Sequence, residues 1–271
     1  MRGTLFAATI VALIPLVLVI YYLLHKGLSL WFTSGFFTTD PTGSFFGNPG
    51  GIRSAILGSL VIVALATVIS IPIGIGVALY LTEYGKQSWF ANTVRYFVDV
   101  MTGVPSIMFG LFIYIVLVTS RFGGSGYAAW KGAVALALLM LPIVIRSAEV
   151  VLLLVPSSLR EAALALGAPR WRVVFQVVLP TSLSGLLTGS LLAIARGMGE
   201  TAPLLFTVAT AFGLTFNLNS QMNTMPFLIF TDITSPRAAI QNIAWGTALT
   251  LVTIVLIFNL FARLIASRSS A

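Results

Sequence analysis

No cysteine occurs among the 271 residues. That absence excludes disulfides, thiolate nucleophiles and thiolate-held clusters, and it leaves the redox compartment unreadable. Histidine is reduced to His25 alone, so the usual general base is missing, and with no H-E-x-x-H and no P-loop lysine the sequence offers neither metal nor ATP chemistry. Charge is scarce as well: 8% of residues are charged, against 58% hydrophobic. An ordinary soluble domain carries roughly a quarter charged residues. A water-soluble fold cannot cover itself with so little.

What is present are long apolar runs. A bilayer core of about 30 Å needs about 20 helical residues. Six runs qualify, near 5–24, 54–82, 97–120, 132–155, 182–207 and 240–263. They are continuous and rich in Leu, Ile, Val and Ala, without the polar-apolar alternation of a membrane barrel. The expected class is an all-α polytopic membrane protein with six transmembrane helices. The first run lacks a small-x-small cleavage site and reads as a retained span, and Pro72 is expected to bend the second.

The net charge of +8 fits lysines and arginines flanking the spans beside anionic lipid, rather than nucleic acid. With both termini inside, the inner segments hold Arg2, Lys86, Arg95, Arg160, Arg170, Arg172, Arg263 and Arg268, against Lys26, Arg53, Arg121, Lys131 and Arg237 outside. Two outer segments, 26–53 and 208–239, mix aromatics with Gly, Pro and polar residues, as suits interfacial loops.

The inner segment "SSLREAALALGAPRWRVVFQVVLP" at 157–180 has its own grammar. Ser158 and Glu161 have capping-box spacing, Gly167 suits a left-handed helix end, and Pro169 suits the first turn of a second helix reaching about Val178. A helix-turn-helix showing Arg170, Trp171, Arg172 and Phe175 has two readings: a knob for a partner's groove, or a helix lying at the headgroups with its arginines on lipid.

Two pairs of charges lie inside the runs. Arg196 and Glu200 stand four apart, about midway along the fifth run, and Arg146 and Glu149 stand three apart near the inner end of the fourth. A charge at the bilayer centre costs at least about 2.5 kcal/mol and faces a bundle interior or a watered path. Each pair has two readings, an ion pair that fixes packing, with Gly185 and Gly189 helping helices approach, or the lining of a polar path. Ser106 and Thr201 are uncharged candidates for the same path, though hydroxyls in spans often bond their own helix. The stretch "GGSG" at 123–126 looks like a serine-protease motif, but Ser125 has no base to activate it.

The loop also resembles the EAA motif of ABC importer permeases: Glu161, Ala162, Ala163, Gly167, Val177, Leu179 and Pro180 fill its positions. Further stretches, "GGIRSAILGSL" (50–60), "GVPSIMFGLF" (103–112), "LPIVIRSAE" (141–149) and "GETAPLLFT" (199–207), are similar to the phosphate permeases of that family. The resemblance implies a type-1 ABC importer (MetI-like) permease fold in the inner membrane of a bacterium or archaeon. It divides the chain into a first span with its outer loop (1–52) and a transmembrane domain (53–265) containing a coupling loop at 156–180. It implies that Glu161, Ala162, Ala163, Gly167, Arg170 and Trp171 dock on a separate ATP-binding dimer, that ATP and magnesium belong to that partner, and that a second permease and an external phosphate-binding protein complete the assembly. Arg146 and Arg196 are then implied to line the anion path, with Glu149 and Glu200 limiting how tightly each holds phosphate. Sulfate or molybdate is the alternative substrate.

Overall fold

A computed structural model describes residues 2–43, 47–120, 126–211 and 213–268. Its helices are α1 (Arg2–Trp31), α2 (Arg53–Leu79), α3 (Trp89–Gly103), α4 (Ser106–Ile113), α5 (Ala129–Leu153), α6 (Ser157–Ala165), α7 (Arg170–Val173), α8 (Leu179–Gly199), α9 (Ala202–Leu205), α10 (Met225–Ile233) and α11 (Ala238–Arg268). Three π-helical turns extend them: Tyr80–Gly85 after α2, Tyr114–Thr119 after α4, and Val174–Val178 between α7 and α8. Five helices are long and apolar enough to cross a membrane, or six spans if the bent pair α3–α4 is counted as one. The fold class is therefore the all-α membrane class the composition demands.

The bundle is built around α5, which packs against α2 and α8. Without a hydrophobic drive between helices in lipid, close approach depends on small residues. A Cβ placed on Gly74 of α2 would stand 2.6 Å from Val144 of α5, and on α8 Gly185 abuts Val151, Gly189 abuts Ser147 and Gly197 abuts Met140. Ala193 completes the small stripe on α8 and is fully buried, in a core with Ile62, Ala66, Leu136, Met140 and Val144. These contacts also set the depth scale: Gly197 lies level with the middle of α5, and Gly185 with its end. At the periphery α1 leans on α11, where the Trp31 indole donates to Thr250 Oγ1 at 3.0 Å. Helix α2 continues as α-helix through Pro72.

Three expectations are corrected. The run 97–120 is not one straight helix. Helix α3 starts earlier, at Trp89, where the Ser88 hydroxyl accepts from the Ala91 N–H at 3.2 Å, and it meets α4 at 104°. The break falls at Val104, which is extended (φ −75°, ψ 130°), because the residue before a proline is driven out of the helical region and Pro105 has no N–H to carry the ladder on.

The fifth run is likewise interrupted. Helix α8 stops at Gly199 and Glu200 is extended (φ −80°, ψ 122°) before the single turn of α9. Two poor helix formers, Gly197 and Gly199, precede the break and Pro203 follows it.

The third correction concerns the inner loop. The Ser158–Glu161 capping box does not form: α6 begins at Ser157 after Pro156, with no side-chain cap, so Ser158 already lies inside the helix. Gly167 does take the left-handed conformation, φ +80°, with the paired bonds Gly167 N–H to Leu164 and Ala168 N–H to Ala163 at 2.9 and 3.2 Å that close a Schellman motif. The second helix, however, is not separate. From Arg170 it runs through the π-turn into α8, giving one candidate span of 30 residues, Arg170–Gly199. The wide π-turn directly before Pro180 absorbs the hydrogen bond that proline cannot make.

Candidate functional site

Bending at Pro105 lays α3 against the end of α5 that carries α6, and it brings four charges together. Arg95 and Asp99 stand one turn apart on α3, and Arg146 and Glu149 one turn apart on α5. Arg95 Nε donates to Glu149 Oε1 at 2.7 Å, Arg146 Nη1 donates to Glu149 Oε2 at 2.8 Å, and Arg146 Nη2 pairs with Asp99 Oδ1. Glu149 is enclosed, its side chain 7% exposed, whereas Asp99 is 61% exposed. Two cations against two anions make the cluster neutral, which is how charge is accommodated in an apolar bundle. Arg95 also donates to the carbonyls of Leu81 and Lys86 at 2.9 and 2.7 Å. It thereby pins the turn after α2, where Lys86 itself has φ +38°.

The expected Arg146–Glu149 pair is thus present, but it is half of a larger group. Reading the sequence missed Arg95 and Asp99. Asp99 was visible as the sole charge within 97–120; Arg95 had been assigned to the flank of the span.

The second pair is also in contact, Arg196 Nη2 to Glu200 Oε1 at 3.3 Å. It does not lie on one continuous helix face. Arg196 occupies the last turn of α8, where a cation complements the helix dipole, and Glu200 sits just beyond the helix end. The adjacent Gly197–Met140 contact places the pair at mid-bundle, while the Arg196 side chain is 58% exposed. The guanidinium is therefore open on one side and not enclosed among packed side chains. Arg146 lies six positions beyond Met140 on α5, about 9 Å along the helix axis, so the two arginines stand at different depths.

Ser106 is the first residue of α4 and Thr201 immediately precedes α9; both are half-buried. Their elements abut, since Gly110 lies against Pro203, where a Cβ would come to 2.7 Å from the backbone. The structure thus places the two hydroxyl residues on neighbouring elements but includes neither in the arginine pairs.

Around α6, Glu161, Ala162, Gly167, Arg170 and Trp171 are exposed, and Ala163 packs half-buried against the apolar cluster that includes Val173 and Val178. The apolar side chains Leu166 and Phe175 protrude as well. Glu161 and Arg170 share a cavity of about 180 Å³ with Glu83, Lys86, Ser157 and Arg160. Arg160, not singled out in the sequence, ties this end together: Nε donates to Glu83 at 3.0 Å, Nη1 to the Val155 carbonyl at 2.6 Å and Nη2 to the Leu152 carbonyl at 2.8 Å. Its fork caps the C-terminal carbonyls of α5, a favourable place for a cation.

At the opposite end, Asp40 receives Arg53 Nε and Nη2 at 3.1 and 2.7 Å and the Ser54 N–H at 3.1 Å. The Arg53 hydrogen bond, outweighing the effect of burial, holds the Asp40 carboxyl below its ordinary range. Lys131, counted with the outer segments, is buried, and its ammonium donates to the Leu117 and Gly126 carbonyls at 3.1 and 2.8 Å. Asp232 of α10 borders a cavity of about 350 Å³ beside Thr210, Thr231 and Ser235, and burial pushes its carboxyl up to about 6. Ser125 of the GGSG stretch lies outside the described residues. Among the described residues no group of acidic, His or Cys side chains is arranged to hold a metal ion.

The chain is similar to subunits of known transporters. Residues 70–270 match the family model described as binding-protein-dependent transport system inner membrane component. The phosphate transport system permease protein PstA of Yersinia pestis is 47% identical over 219 residues, covering 81% of this chain and 73% of that protein. The PstA of Haemophilus influenzae is 40% identical over 264 residues, 97% and 92% of the two chains. Among solved structures, the fold is like that of a chain of the inward-facing MetNI methionine ABC transporter (TM-score 0.62, 18% identity, 81% of this chain and 94% of that one). It is also like that of a chain of a bacterial alginate ABC transporter (TM-score 0.68, 14% identity, 98% and 93%).

Proposed function

This chain belongs to the binding-protein-dependent transport system inner membrane component family, and we propose that it is the permease subunit through which an ATP-driven importer moves inorganic phosphate across the inner membrane. The chain is a multi-pass permease, not an enzyme: it has no nucleotide-binding motif, and ATP with its magnesium belongs to a partner. The observation that carries the reading is the arrangement of Arg146 and Arg196, two guanidinium groups at two depths of an apolar bundle, each offset by a carboxylate at 2.8 and 3.3 Å. Phosphate is a strongly hydrated tetrahedral anion that an apolar pore excludes, and a guanidinium offers it two parallel, permanently charged donors. Conduction needs entry and exit to be comparably easy. Glu149 and Glu200 meet that need by competing with the substrate for each arginine. The open flank of Arg196 faces the path shared with a homologous second permease, and Ser106 and Thr201 line it without charge.

The surface of α6, with Glu161, Ala162, Ala163, Gly167, Arg170 and Trp171, docks on one subunit of an ATPase dimer on the cytoplasmic side, where both termini also lie. Its exposed apolar and basic side chains suit a groove lined with acidic and apolar residues. Closure of the ATPase dimer moves α6, and with it the ends of α2 and α5 held by Arg160. An external phosphate-binding protein delivers the anion to the opposite end. Uptake of radiolabelled phosphate into vesicles containing the full assembly, with sulfate and molybdate as competitors, is the test. Preference for either competitor over phosphate would overturn the assignment.

A further inference from the structure

At the outer end one acid has no counter-charge among the described residues. Asp232 is half-buried near the end of α10 and lines the cavity of about 350 Å³. Its carboxylate receives one hydrogen bond, from the Thr231 hydroxyl at 3.3 Å, and that hydroxyl lies closer to the Leu228 carbonyl, at 3.1 Å. A hydroxyl has a single proton to give, so the carboxylate is left almost without a donor. The neighbouring charges are engaged elsewhere: Arg237 donates to the Gly47 carbonyl at 2.6 Å, and Arg53 is paired with Asp40. Helices α2 and α11 pack on α10, and between Arg53 and Glu83 on one and before Arg263 on the other neither has a charged residue. Burial without a counter-charge pushes the carboxyl up to about 6, a cost to the folded chain that marks a binding group rather than a packing one.

The position of the cavity narrows what fills it. Thr207, shortly after α9, accepts from the Ala128 N–H at the outer start of α5 at 3.1 Å, and the chain runs on directly to Thr210 on the cavity wall. The cavity therefore stands beside the outer mouth of the path that Thr201 lines. An acid there repels a passing anion, so the substrate is not its ligand. We infer that this cavity is the socket for a basic side chain, lysine or arginine, of the external binding protein, with Asp232 as its counter-ion. The inference rests on the reading of the chain as a permease served by such a protein. Pro41, Pro49 and Ile240 offer apolar walls to the methylene stem. Beside the carboxylate, the Thr210 and Ser235 hydroxyls can accept from the charged head. Gly43 and Pro236 at the edge are exposed, so the chain itself leaves the entrance open. A protein seated there also covers the mouth through which its anion must pass.

The test measures binding of the phosphate-binding protein to the assembled importer in lipid nanodiscs at pH 7.5 and at pH 5. Neutralising one member of a partly desolvated interfacial charge pair weakens binding, and Asp232→Asn is expected to do so about tenfold at pH 7.5. With its carboxyl at about 6 before docking, Asp232 is ionised at pH 7.5 and about nine-tenths protonated at pH 5. The wild type is therefore expected to lose affinity on acidification until it exceeds Asp232→Asn only about twofold. Because the chain has no cysteine, Pro236→Cys supplies its only thiol, at the rim of the cavity. A benzophenone maleimide attached there is expected to capture the binding protein on illumination. Equal affinities of wild type and Asp232→Asn at pH 7.5, an unchanged ratio at pH 5, or capture of the second permease alone would overturn the inference. A wild-type importer that binds no such protein at either pH would overturn the permease reading first, and the inference with it.

Discussion

Replacing Arg160 with methionine removes a side chain of α6 that bonds the end of α5 and the turn after α2 at once. Its side chain is 21% exposed and that of its partner Glu83 is 12% exposed, so the pair is largely out of water. Taking one member from a buried pair costs about 3–5 kcal/mol, because the remaining charge keeps its desolvation penalty. The carbonyls of Leu152 and Val155 lose donors as well, at about 1–3 kcal/mol for each that water does not reach. These terms overlap and partial exposure favours the low end, so the attachment of α6 is expected to weaken by about 3 kcal/mol. That is roughly a hundredfold in its docking equilibrium. The span core around Met140 and Ala193 is remote from Arg160, so insertion and assembly are expected to persist. In proteoliposomes containing the assembled importer, the ratio of ATP hydrolysed to phosphate imported should rise at least about tenfold, and Arg160→Lys, which restores one point charge without the fork, should recover only part of it. A wild-type ratio in Arg160→Met would refute the view that this contact transmits motion from α6.

Arg196→Gln keeps a planar donor but removes the charge, and phosphate uptake is expected to fall at least tenfold while the subunits still co-purify; collapse of the assembly would instead assign Arg196 to packing. Gly58→Ala drives a Cβ to 2.0 Å from the Asn223 backbone carbonyl, both residues being buried, at about 3 kcal/mol, the upper end of ordinary overpacking. Gly76→Ala on the same helix meets nothing within 4 Å and is expected to gain up to about 1 kcal/mol from helix propensity; thermal inactivation of the two variants should move in opposite directions. Asp232 has a folded pKa of about 6, above its ordinary 3.8, through burial. The folded state therefore binds its proton more tightly, and stability is lost as pH rises from about 4 through 6. Asp232→Asn is expected to raise the thermal midpoint at pH 7.5 and to leave it unchanged at pH 4; a rise of equal size at both would refute the burial argument.

The class of the fold was legible because it follows from composition: uncharged runs of twenty or more residues have few alternatives to helix. The single-residue turn at Gly167 was legible for a similar reason, since left-handed backbone strongly selects glycine. The failures have one physical origin. Hydropathy measures transfer from water to lipid and is blind to whether the helix carrying the apolar residues is straight. It therefore read through Val104–Pro105 and through Glu200, where the backbone leaves the helix while the side chains stay apolar. Proline position alone does not decide the matter, because α2 continues through Pro72 and α5 through Pro142. What differs is the surroundings. Pro72 and Pro142 lie in the tightly packed α2–α5 pair, with Gly74 against Val144, whereas Pro105 follows a helix with two buried residues.

The same limit hid half of the candidate site. Arg146 with Glu149, and Arg196 with Glu200, are three and four residues apart, so helix geometry alone suggested both pairs. Arg95 and Glu149 are 54 residues apart, and Asp99 and Arg146 are 47 apart; nothing local pairs them. Their meeting depends on the 104° bend, which swings the charged face of α3 onto α5 instead of leaving it in line with α4. A straight span would have carried Arg95 and Asp99 away from α5 and left Arg146 and Glu149 paired only with each other. Arg95 and Asp99 are themselves four apart, so a local pair satisfied the sequence pattern as well, and nothing in it called for the bend.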